Sequence, residues 1–195
     1  MKVLFVNACL RGEASRTLKL AKSYLEDLKK ARPDAEFEEV DLDALDMEVQ
    51  DGDYIMRREV LINAKDFTSP MFDLAKQFIE AEHVVIAAPY WDLSFPAKLK
   101  MYLERCSVDK LTFVYEKGVP QGMCKAECLT YITTAGGYIG EMNYGFDYVK
   151  GLGSYLFGIQ KFHFVAADGI DIDGIDVEGK LAEGKAKLAE IAKTI

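Results

Sequence analysis

Residues 84–97 read Val84-Val85-Ile86-Ala87-Ala88-Pro89-Tyr90-Trp91-Asp92-Leu93-Ser94-Phe95-Pro96-Ala97, and the reading of this stretch decides the fold. Its first five residues are continuously apolar, short enough for a strand buried on both faces and too short for most helices. From Pro96 the period changes, and Leu99, Tyr102, Leu103 and Cys106 fall on one face of a helix. Between strand and helix stand two prolines, the chain's one tryptophan, further aromatics and a carboxylate. Two readings follow for so large and flat-sided a loop. Either Trp91 and Phe95 fold back onto the core, or the loop lies along the edge of something planar.

Outward from this stretch the same alternation repeats. Lys2–Val6 is a second continuous apolar run, followed by a break over Asn7–Ala14, Ser15 as an N-cap, and a helix with Leu18, Ala21, Leu25 and Leu28 inward. Ala35–Leu42 has a weaker, charged strand pattern suited to a sheet edge. Asp43–Tyr54 is acidic and irregular, either a lid or a surface loop. Helices are expected near Ile55–Lys65 and after Ser69-Pro70, an N-cap followed by an N1 proline. Leu111–Met123 reads as an excursion with one short strand over Thr112–Tyr115. A strand over Cys128–Thr133 stops at Thr134-Ala135-Gly136-Gly137-Tyr138; a helix over 146–157, a fifth strand over Lys161–Ala167 and a helix from Glu178 complete the chain. Alternating strands and helices imply right-handed crossovers, hence an α/β, three-layer α/β/α sandwich in one domain over residues 1–195, its five-stranded parallel sheet in the order 2-1-3-4-5. Ligands of such sheets bind beyond the carboxyl ends of the strands, where the order reverses. The loops meeting there are Cys9–Thr17, Tyr90–Leu93 and Thr134–Gly137.

Several function classes drop out. A net charge of -8 opposes any grip on a nucleic acid duplex or a membrane surface, although backbone amides can still hold a phosphate. The N-terminus turns polar too early for a signal peptide, so a cytoplasmic protein is expected. Cys9, Cys106, Cys124 and Cys128 lack the C-x-x-C spacing and read as structural thiols, with no metal site expected. His83 and His163 read as structural, and no nucleophile–histidine grouping can be built from them. Asp171-Ile172-Asp173-Gly174-Ile175-Asp176 lacks the residues a calcium loop needs at Ile175 and Asp176. Neither a P-loop nor the dinucleotide fingerprint is present: Leu156 stands where the latter, started at Gly151-Leu152-Gly153, needs its third glycine. What remains is Ser15-Arg16-Thr17 at a helix start, where free N–H groups and hydroxyls can surround a phosphate, and Gly136-Gly137, where backbone can approach a flat ligand.

These residues in this order resemble the flavodoxin-like NAD(P)H-dependent FMN oxidoreductases, in particular the FMN-dependent NADH azoreductases, which also act as quinone reductases. Lys2–Leu10 with Ser15-Arg16-Thr17 is similar to that family's phosphate loop, Pro89-Tyr90-Trp91-Asp92-Leu93 to its isoalloxazine loop, and Thr134-Ala135-Gly136-Gly137 to its second flavin loop. The resemblance implies a non-covalent FMN held by these residues and Cys9, with NADH or NADPH as electron donor. It further implies a small-molecule acceptor, a substrate pocket including Tyr115 and Tyr138, and a homodimer with flavin sites at its interface. No side chain is assigned as catalytic. Cys9 stands where many relatives have serine, Asp92 where asparagine is common, and Thr134-Ala135 where some relatives carry arginine and serine. A flavodoxin-type single-electron carrier is the alternative.

Overall fold

A computed structural model describes residues 1–195. In chain order the elements are β1 (Lys2–Asn7), α1 (Arg16–Ala31), β2 (Glu36–Asp41), α2 (Gly52–Ala64), α3 (Asp73–Glu80), β3 (His83–Ala87), α4 (Ala97–Cys106), β4 (Phe113–Glu116), β5 (Val119–Gly122), β6 (Cys128–Thr134), α5 (Tyr144–Leu152), β7 (Lys161–Ala167) and α6 (Val177–Ala192). Five strands form a parallel sheet in the order β2-β1-β3-β6-β7. This is the expected 2-1-3-4-5 topology, renumbered because β4 and β5 make a separate antiparallel hairpin.

Strand side chains alternate faces, and here the two faces bury separate cores. Leu4, Val6, Val84, Ile86, Leu129 and Tyr131 pack beneath Phe78 of α3, Leu99, Tyr102 and Leu103 of α4 and Val149 of α5. Val3, Phe5, Val85, Ala87, Ile132 and Val165 pack against Leu18, Ala21, Tyr24 and Leu28 of α1 and Leu188 of α6. Continuous apolar strands follow from this double burial, as does the charged pattern of the edge strand β2.

Two segments depart from the sequence expectation, and one open reading is narrowed. The acidic segment after β2 is an irregular, mostly exposed surface loop, tied down because cations of α4 bond its carbonyls. Lys98 Nζ donates to the Asp43 and Leu45 oxygens, and the buried Arg105 donates to the Glu48 oxygen and, over 2.6 Å, to the Tyr54 hydroxyl. The Arg105 guanidinium also lies 4.1 Å from the Tyr54 ring centroid, while Leu45 and Met47 pack on the core. β5 was not expected, since Pro120 and Gly122 oppose a strand; it forms as the outer arm of a hairpin turned by Lys117 (φ 51°) and Gly118 (φ 83°). The expected helix over 146–157 is α-helical only to Leu152 and then widens into a π-helical stretch, Gly153–Phe157, closed by Gly158 at φ 78°.

Candidate flavin site at the sheet switch point

β1 and β3 end side by side, and a thiol joins them there. Cys9 is buried, its Sγ donating to the Ala87 carbonyl at 3.5 Å, while its own N–H is taken by the Asn7 side chain. Burial pushes this thiol up to about 11, so it stays protonated at neutral pH. The chain then makes a turn of 3-10 helix over Gly12–Ala14 and enters α1 with Ser15 as N-cap, whose Oγ accepts from the Leu18 N–H at 3.2 Å. The N–H groups of Arg16 and Thr17 are bonded to nothing in the chain, and they sit at the positive end of the helix dipole.

The 89–95 loop divides the two sequence readings between its aromatic residues. Phe95 folds back, half-buried against the core and 5.7 Å from the Tyr148 ring centroid. Trp91 does not; it is 38% exposed and borders a cavity. Between Trp91 and Ser94, which exchange hydrogen bonds of 3.2 and 2.8 Å, the chain turns on Asp92 (φ 51°) and Leu93 (φ 65°). Left-handed backbone at both central positions is a type I′ turn, which favours Asn-Gly over Asp-Leu. The N–H groups of Asp92 and Leu93 are unbonded, and the exposed Asp92 carboxylate has no hydrogen-bond partner. Because Leu93 is 42% exposed and has a backbone suited to glycine, Leu93→Gly is expected to stabilise the fold by about 0.5–1 kcal/mol, read as a rise in urea midpoint.

The third loop leaves β6 at Thr134, whose hydroxyl is 2.7 Å from that of Thr17 and ties this loop to α1. The N–H groups of Gly136 and Gly137 are again unbonded. The loop after β7 runs beside it: Gly169, Ile170 and Asp171 donate N–H bonds to the Gly137, Ala135 and Gly136 carbonyls.

Together these loops enclose a cavity of about 420 Å³, within the usual range for small-molecule sites. Of the residues expected from sequence, Ser15, Arg16, Thr17, Pro89, Tyr90, Trp91, Thr134 and Gly136 line it. Asp92, Leu93 and Gly137 sit on the same loops outside its lining, and Cys9 and Ala135 are buried behind it. Tyr138 is exposed; its ring fills the space where Gly169 would carry a side chain. Tyr115 is exposed on the β4–β5 hairpin, stacked edge-on against Phe113. Sequence reasoning missed Arg11, Ala14, Ile170 and Asp171. Arg11 and Ala14 lay within a loop already singled out; Ile170 and Asp171 could have been found because β7 ends at the same edge of the sheet.

A family model for the flavodoxin-like fold matches residues 1–192. An FMN-dependent NADH:quinone oxidoreductase of Clostridium perfringens is 34% identical over 179 residues, covering 88% of this chain and 87% of the relative. The chain belongs to this flavodoxin-like quinone oxidoreductase family. A relative from Lachnoclostridium phytofermentans with the same description is 33% identical over 98% of both chains. Among solved structures, the azoreductase from Bacillus anthracis superimposes with a TM-score of 0.88 at 23% identity, each chain fully covered. An FMN-dependent NADH-azoreductase of the same organism, in complex with FMN, gives 0.86 at 21% identity, with 99% of this chain and 98% of that one covered. At these identities the two solved structures show a shared fold.

Proposed function

We propose that this chain is an FMN-dependent oxidoreductase that passes two electrons from NADH or NADPH to quinones, azo compounds or nitroaromatics. One observation carries the reading. Three separate loops each leave a pair of backbone N–H groups unbonded at the switch point, and the same three loops line a cavity flanked by Tyr90 and Trp91. That arrangement fits a ligand with a phosphate at one end and a flat, polar-edged ring at the other.

The Arg16 and Thr17 N–H groups and the Ser15 hydroxyl would hold the phosphate of FMN, helped by the dipole of α1. The Asp92 and Leu93 N–H groups would meet one polar edge of the ring, and those of Gly136 and Gly137 the other. Trp91 and Tyr90 would wall the ring, and the Tyr90 hydroxyl is itself anchored, donating to the Met142 carbonyl at 2.8 Å. The bound flavin supplies the hydride and electron chemistry; the chain supplies orientation and electrostatics. No side chain is assigned as proton donor, and neither histidine borders the cavity. Donor and acceptor would bind in turn, a ping-pong cycle, with Tyr138 toward the acceptor; Tyr115 stands on the hairpin docked beside Gly158, at the other end of the sheet, and would not reach this cavity within one chain.

A homodimer of single 1–195 domains, working in the cytoplasm, completes the reading. Exposed Tyr144, Tyr148 and Tyr155 continue the apolar surface of the Trp91 loop, since α5 packs on that loop through Gly145 and Ser94. No helix is long and apolar enough to cross a membrane. Sedimentation equilibrium tests the dimer. For the activity, protein mixed with FMN and dialysed should stay yellow, bleach under NADH without oxygen, and recolour with menadione. Retained FMN that NADH cannot bleach would favour the electron carrier, and no retained FMN would overturn both.

A further inference from the structure

The acidic run that fails as a calcium loop begins at Asp171, and the structure places this residue at the cavity. Asp171 Oδ1 accepts from Arg16 Nη1 at 2.7 Å, an ion pair spanning 155 positions of sequence. The carboxylate is held there from below. The Asp171 N–H donates to the Gly136 carbonyl at 3.0 Å, and a Cβ on Gly136 would stand 2.5 Å from Oδ2, so any larger residue there would push the carboxylate from this position. Arg11, Arg16 and Asp171 are the charged side chains lining the cavity, and Arg11 has no carboxylate partner. Asp171 therefore offsets half of the cationic charge next to the N-terminus of α1, where the proposed function puts a phosphate.

We propose that Asp171 sets the affinity and selectivity of the phosphate subsite by competing for Arg16. This inference rests on the flavin reading above. A phosphate dianion arriving at the α1 N-terminus must draw Arg16 from a carboxylate already paired with it, while Asp171 repels the same dianion. A flavin without the phosphate has no such exchange to make. The weakening that Asp171 imposes falls on the phosphorylated ligand alone, and it keeps FMN exchangeable at a site whose helix terminus and two arginines would otherwise grip the phosphate more tightly.

The test is flavin binding by fluorescence quenching on the full chain. Asp171→Asn, isosteric and on the surface, should tighten FMN about fivefold, the scale of an exposed ion pair, and leave riboflavin unchanged. The FMN affinity of Asp171→Asn should also fall more steeply with salt than that of the parent. Arg16→Gln should weaken FMN, and Asp171→Asn should tighten FMN less in the Arg16→Gln background than in the parent, since the competition requires Arg16. Parent protein that binds FMN while Asp171→Asn leaves its affinity unchanged, or lowers it, overturns the role of Asp171 alone. Equal tightening of riboflavin also overturns it, and a parent that binds no FMN overturns the functional reading with it.

Discussion

At pH 5 the fold is expected to be about 2 kcal/mol less stable than at pH 7, and about 3 kcal/mol less stable at pH 4, through His83. His83 opens β3 at the end of the sheet away from the cavity and is 1% exposed. Its Nε2 is 3.0 Å from the Thr130 hydroxyl, while Nδ1 is buried with no partner. The Tyr24 ring lies edge-on at 6.2 Å, Cys128 is its neighbour in register on β6, and Lys161 and His163 approach from β7. A proton on this ring would need an acceptor at Nδ1 that the core lacks, and it would put a cation beside Lys161. Burial first, and then His163 and Lys161, push the group down to about 3.

The unfolded chain takes up this proton near pH 6.5 and the folded chain does not until about pH 3, so stability is complete above the first value and is lost between the two. His163, lowered by burial and Lys161, acts in the same direction. Glu13, Asp66 and Glu80, held low by Lys22, Thr68 and Lys125, lose their contribution only below the ordinary carboxylate range. The window from pH 7 to pH 5 therefore belongs to the histidines. Urea unfolding across it should show the decline in the parent chain and only the His163 remainder in His83→Gln; an undiminished slope in the variant would sink the assignment.

Gly122→Ala is expected to cost about 3 kcal/mol or more, at the upper end of overpacking. A Cβ on Gly122 would overlap the Gly158 nitrogen and the Phe157 carbonyl group, all backbone atoms that no rotamer change can move. Gly158 in turn closes the π-helical stretch, its N–H bonded to the Gly153 carbonyl. The two glycines thus face each other where the β4–β5 hairpin docks on the widened end of α5, and an added methyl must lift the hairpin or unwind the stretch. Gly151→Ala is the matched control: it is helical, with nothing within 4 Å of the added carbon, and should gain about 0.5–1 kcal/mol. Urea midpoints of the two variants should move in opposite directions. A loss below 1 kcal/mol for Gly122→Ala would mean that the hairpin is not docked as described.

The strands and most helices were legible because their signals are local. Val84–Ala88 and Lys2–Val6 are apolar without interruption since each is buried on both faces, and Leu18, Ala21 and Leu28 repeat at the helical period since α1 buries one stripe. Where two backbones give the same pattern, the reading failed. Val149, Leu152 and Leu156 keep helical spacing whether the turns are α or π, and Pro120 with Gly122 hides a strand that a glycine contact holds in place. Trp91 and Phe95 stood four residues apart with equal claims on core and cavity, and only the docking of α5 separated them.

By itself the sequence determined the order of elements, the parallel sheet, and so the three loops that gather at one end of it. Tertiary structure alone decided which groups those loops leave free. It turned the Cys9 thiol onto the Ala87 carbonyl, set Asp92 and Leu93 in left-handed backbone with their N–H groups unbonded, and brought Asp171 to Arg16. The physical reason is range. Periodicity reports the solvent each residue meets within its own element, whereas a side chain's partner is fixed by where a distant segment docks.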